Sequence, residues 1–188
     1  MGGAVISVAT YGYCREHNFS NQSASLVMTM YGVGSLLGST FVAILSIVSN
    51  YCTKRLNRLY FHLSCNITMA LMAVLVPVST FSQELVTIYI FIVGAAYGAC
   101  CANLGSMIEH LNGTRFLYLI YGYGMASAGL GSLIGPVVSA QLDTRLGSGS
   151  AFYFSGACIF AGFIGFTLLA MFKRSVVVHF KDQREVNR

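Results

Sequence analysis

Hydrophobic positions in this chain come in long uninterrupted blocks, and charge falls between them. Residues 24–49, 61–82, 85–108, 116–142 and 151–172 contain no Asp, Glu, Lys or Arg. A helix needs about 20 apolar residues to cross a hydrocarbon core of about 30 Å. Each block has that length, so the pattern predicts five membrane-spanning helices. A sixth apolar piece, residues 1–13, is too short to cross at about 1.5 Å per residue. It reads as a truncated span.

Within the blocks, small residues recur four apart. Gly34 and Gly38, Gly94 and Gly98, and Gly131 and Gly135 form small-x-x-x-small pairs. Positions four apart share a helix face, so each pair lets a neighbouring backbone approach closely. The same glycines can serve as packing points or as places where helices rock against each other. Pro136 removes a backbone donor in the span 116–142, which predicts a kink one turn back, near Ser132. Tyr118 lies near a boundary and reads as an interfacial belt residue. The deeper Tyr121 and Tyr123 fit either a belt or a hydrogen-bonding cavity.

Composition agrees with the pattern: 55% of residues are hydrophobic and 9% charged, against about 25% charged in soluble domains. The net charge of +5 is a topology signal, not an affinity for nucleic acid. Lys54, Arg55, Arg58, Arg115, Lys173, Arg174, Lys181, Arg184 and Arg188 fall on one side of the alternating spans, and only Arg15 and Arg145 on the other. The positive-inside rule makes the first side cytoplasmic, including a basic tail over 173–188. The sequons at Asn18 and Asn21 then lie outside and are candidate glycosylation sites, which favours the plasma membrane. The sequon at Asn112 would be cytoplasmic and that at Asn66 buried in a span.

No ionisable carboxylate or basic residue stands near the centre of a full span, which argues against a proton-coupling acid. His62 reads as a boundary residue. Cys14 is the only cysteine in an outside loop, so no disulfide framework is implied. Cys100 and Cys101 lack metal-ligand spacing, and Cys52 reads as a small boundary residue. No nucleophile–base, metal or phosphate-binding motif is present. Neither catalysis nor a cofactor or metal is expected.

Residues 109–157 carry a more specific signal. Glu109-His110-Leu111 opens a short loop, a Gly-rich span leads to Leu133-Ile134-Gly135-Pro136, and Leu142-Asp143 precedes Gly147-Ser148. The next helix begins Ser150-Ala151-Phe152-Tyr153-Phe154-Ser155-Gly156-Ala157. This order and spacing resembles the last helices of monocarboxylate-transporter-like members of the major facilitator superfamily (the solute carrier 16-like group). The resemblance implies an all-α membrane protein in which residues 1–172 form a six-helix half bundle equivalent to helices 7–12, the first one truncated. It implies alternating-access transport of a small organic solute, with a monocarboxylate as the named candidate.

Relatives place an acidic residue or Asn, and four positions later an Arg, in the eighth helix, where the Arg meets the substrate carboxylate. Ser35 and Ser39 stand at those positions here, so the bidentate contact is lost from this helix. Candidate solute-binding residues are Ser35, Ser39, Asn103 and Tyr121, all neutral hydrogen-bonding groups. A lone half would present polar cavity residues to lipid at several kcal/mol each. An N-terminal half outside this sequence, or a partner subunit, is therefore expected. The rival readings are a non-transporting paralogue acting as scaffold or regulator, and a homodimeric half-size transporter.

Overall fold

The computed structural model describes residues 6, 9, 10, 12–14, 19–51, 58–79, 82–112, 117–147 and 149–186. Among them are five long helices: α1 Asn21–Tyr51, α2 Arg58–Leu75, α3 Gln83–Asn112, α4 Leu117–Leu146 and α5 Ser150–Val186. All five are long and apolar enough to cross a membrane. The described residues contain no strand, and the fold is an all-α half bundle.

Local chemistry sets the helix ends. Ser20 caps α1, its hydroxyl accepting from Ser23 N at 3.1 Å, and Ser82 caps α3 through Leu85 N at 3.3 Å. These side chains satisfy donors that a helix start leaves open. α2 stops at Leu75, followed by a short 3-10 turn over Pro77–Ser79. The apolar block 61–82 is thus not one helix. Pro77 cannot donate a backbone bond and disfavours helical geometry in the residue before it. At the other proline the outcome differs, because α4 continues through Pro136 from Leu117 to Leu146. Past its apolar span α5 runs on to Val186 as a helix, so the basic segment expected over 173–188 is helical through that residue.

α4 and α5 are joined by a tight link. Gly147 has φ +95°, a left-handed conformation that glycine adopts without steric cost. Its N–H donates to Asp143 O at 3.0 Å. The Asp143 carboxylate then accepts from Ser150 Oγ at 3.0 Å and from Ala151 N at 3.1 Å. One acidic side chain thereby caps α5 and complements its dipole.

α1 and α3 form the closest helix pair. A Cβ at Gly34 would collide with the Phe91 carbonyl, and one at Gly38 with the Ala95 carbonyl. Reciprocally, Gly94 packs on the Tyr31 carbonyl and Gly98 on the Ser35 carbonyl. Two backbones therefore touch with no side chain between them. On its other sides α3 meets α2, and α2 meets α5, where Gly156 lies against Val74 and Ala70. Gly131, Gly135 and Ser139, four apart, form the buried stripe of α4.

The core collects Val27 of α1, Ala70 and Ala73 of α2, Val86, Ile90 and Val93 of α3, and Phe152 of α5. The N-terminal piece joins it. Ile6, Ala9, Tyr13 and Cys14 are buried in the same cluster, and the Tyr13 ring meets Phe152 edge-on with centroids 5.5 Å apart. These residues fill a place in the bundle.

Candidate functional site

Ser35 and Ser39 sit beside the α1–α3 contact, each next to one of the paired glycines, and both are half-buried. Ser39 Oγ donates to Leu36 O at 2.9 Å within its own helix, which leaves its oxygen lone pairs available to a solute donor. One turn before Ser35, Tyr31 stacks on Tyr97 of α3, with ring centroids 6.1 Å apart and planes at 29°. Tyr31, Ser35 and Ser39 are four apart and so line one strip of α1. The tyrosine pair escaped the sequence reading; the four-residue spacing from Tyr31 to Ser35 was its only signal.

Asn103 is placed elsewhere. It is buried, and its Nδ2 donates to the carbonyl of Arg58 at 2.9 Å. The Gly94 and Gly98 face of α3 addresses α1, whereas Asn103 addresses the start of α2. It thus ties α2 to α3 and lies apart from the Ser35–Ser39 strip. Tyr121 stands on α4, 39% exposed. No hydrogen bond or ring contact joins it to the serines among the described residues. Tyr118 and Tyr123 are more open still, at 87% and 71%.

Arg58, at the first residue of α2, crosses to α1 and donates from Nη2 to Ser46 Oγ at 3.2 Å. Ser46 is seven residues past Ser39, which returns it to the same face about 10 Å further along the helix. A cation therefore stands near the end of the strip where the sequence alone showed only serines. His62, read as a boundary residue, lies four residues into α2 and is buried, with its ring 5.6 Å from Phe166 and its Nδ1 without a hydrogen-bond partner among the described residues.

The two candidate glycosylation sites divide. Asn21 is exposed at the first position of α1, while Asn18 lies outside the described residues. No group of His, Cys, Asp and Glu side chains among the described residues is arranged to hold a metal. What the strip offers is a row of neutral hydroxyls with a guanidinium two turns beyond, suited to hydrogen-bonding a small polar solute. In comparison with known proteins, the family model of the Major Facilitator Superfamily matches residues 1–187. No curated protein and no solved structure matches the chain.

Proposed function

The chain belongs to the Major Facilitator Superfamily, a family of transporters, and on that premise we propose that it moves a small organic anion by alternating access, a monocarboxylate being the best fit. The observation that carries the anion is Arg58 held to Ser46 on the Ser39 face. An arginine supplies a planar pair of donors to a carboxylate, and no acidic side chain pairs with this one among the described residues. In this reading Tyr31, Ser35 and Ser39 bind the solute's neutral oxygens, Tyr121 closes from α4, and Asn103 holds Arg58 in place through its backbone. The loss of the arginine from α1 is then offset from the start of α2.

The solute path runs between the half described here and a second helical body that covers α1 and α4. The exposed apolar side chains of those two helices support it, Leu36 at 66% and Leu133 at 73% among them. Orientation follows the loop charges, with the α5 extension cytoplasmic and the membrane that of the cell surface.

The test is uptake of labelled acetate, lactate and pyruvate by the full-length protein in proteoliposomes. Arg58→Gln raises KM for the anions and leaves a neutral amide analogue unaffected. Ser39→Leu with Tyr121→Phe abolishes uptake of both. Unchanged uptake in these variants refutes the assignment.

A further inference from the structure

One tyrosine stands where this bundle otherwise places phenylalanine. Of the exposed tyrosines among the described residues, Tyr60, Tyr118, Tyr121, Tyr123 and Tyr153 all lie within two turns of a helix start. The exposed aromatic rings deeper in the helices are Phe41, Phe160 and Phe166. A bilayer imposes this division, because tyrosine keeps its hydroxyl at the interface and a hydroxyl facing hydrocarbon is costly. Tyr97 breaks it. It is 36% exposed, yet it sits at the middle of the charge-free run 85–108, about 21 Å along α3 from Gln83.

Its ring is also held in place. Helical side chains lean toward the N-terminus, so Tyr97 reaches back to Tyr31 and forms the stacked pair described above. Gly94 packs on the Tyr31 carbonyl and Gly98 on the Ser35 carbonyl, which fixes the two backbones that carry the rings. Tyr31 packs against the core cluster. It is the anchored member of the pair, and Tyr97 is the open one. An offset stack occupies one face of a ring, and the exposure of Tyr97 leaves surface for a third. Ser35 and Ser39 follow Tyr31 at about 6 and 12 Å along α1.

We propose that the solute is an aryl carboxylate: its ring stacks on Tyr97, and its acidic end points along the strip of Ser35 and Ser39 toward Arg58. The inference rests on the anion reading above and adds the part of the solute that this reading leaves open. Depth supports it, since substrate sites in transporters of this architecture lie near the bilayer midplane between the two halves. An aliphatic solute would gain buried area from any apolar side chain. A fixed tyrosine pair adds a preference for a further aromatic ring, because the quadrupoles of offset rings attract.

The experiment measures uptake of labelled 3-phenylpropanoate and 3-cyclohexylpropanoate by the full-length protein in proteoliposomes, with binding of 3-phenylpropanamide and 3-cyclohexylpropanamide as the neutral counterpart. The phenyl acid has the lower KM, by about 2–10-fold, the weight of one aromatic pair. Tyr97→Leu removes that ratio, and Tyr97→Phe keeps it. Tyr31→Leu, which takes away the ring behind Tyr97, reduces it. Each ratio compares two acids on one variant, so partial misfolding lowers both uptakes and leaves the ratio unmoved. Equal KM values in the unaltered protein overturn the aryl assignment, as does a phenyl preference that survives Tyr97→Leu. Arg58→Gln raises both KM values and spares their ratio. The two readings fail separately. Uptake that needs Arg58 but shows no phenyl preference removes the ring site and keeps the anion. A phenyl preference shared by the amides and indifferent to Arg58→Gln keeps the ring site and removes the anion. Uptake of neither acid overturns both.

Discussion

The glycines of this bundle do two different jobs, and substitution separates them. Gly98 faces the Ser35 carbonyl with no room for a Cβ. Gly98→Val therefore forces α1 and α3 apart and costs about 1–3 kcal/mol, as overpacking does. Gly129 has nothing within 4 Å of an added Cβ. Gly129→Ala is neutral or stabilises by up to about 1 kcal/mol through helix propensity. Thermal unfolding in detergent, read side by side for the two variants, checks the contrast. The spacing of Gly34, Gly38, Gly94 and Gly98 was legible in the sequence, but their pairing with each other was not. Periodicity states which residues share a face, not which helix that face meets. Asn103 shows the same limit: a polar residue in an apolar span signals a partner, and only the fold reveals that the partner is the Arg58 carbonyl. Asn103→Leu removes the bond that ties α3 to the start of α2 and costs about 0.5–1.5 kcal/mol, because the Arg58 carbonyl keeps its place in the helix ladder of α2. The expected result is a lower melting temperature, with KM for anions raised because Arg58 loses its anchor.

At the scale of elements, helix ends depend on single side chains. Asp143 holds two bonds to the first residues of α5, so Asp143→Ala costs about 1 kcal/mol. Asn at this position retains most of it. Hydrogen exchange at the start of α5, measured on both variants, distinguishes cap from charge. The buried N-terminal piece gives a second check. Cys14 is fully buried, and burial pushes its thiol above the ordinary value. Less thiolate is present near neutral pH, and thiolate is the reactive form. Cys14 therefore resists an aqueous maleimide in the folded protein and reacts once the protein is unfolded. Fast labelling in the folded state would mean that this piece leaves the core. Charge exclusion located all five spans, since burying charge in lipid is costly. It misjudged the end of α2 because Pro77 is apolar and interrupts a helix without interrupting hydropathy. It says nothing of where a helix ends beyond its span, and α5 continues to Val186 because charged residues leave the membrane yet remain good helix formers.

For the whole molecule, the uneven cover of the helices matters most. α3 is the most enclosed of the five and α1 and α4 the least. In a cysteine-free background, Cys placed at Leu36 or at Leu133 forms crosslinks to another helical body in native membranes, while Cys at Phe160 does not. Crosslinking at Phe160 alone would put the partner on the α2–α5 side and overturn the arrangement of the two bodies proposed above. Sequence could not assign these faces, because a membrane helix is apolar toward its neighbours and toward lipid alike, and amphipathic periodicity is correspondingly weak.

The α1–α3 contact has one more consequence. Four glycines meet four carbonyls across it, so sliding either helix by a single residue would drive a side chain into the facing backbone. The pair is locked in register like two meshed racks and can travel only as a single plank. A change of shape within this bundle during a transport cycle then spares that pair and falls on looser contacts, such as those of α4, whose buried positions are Gly131, Gly135 and Ser139.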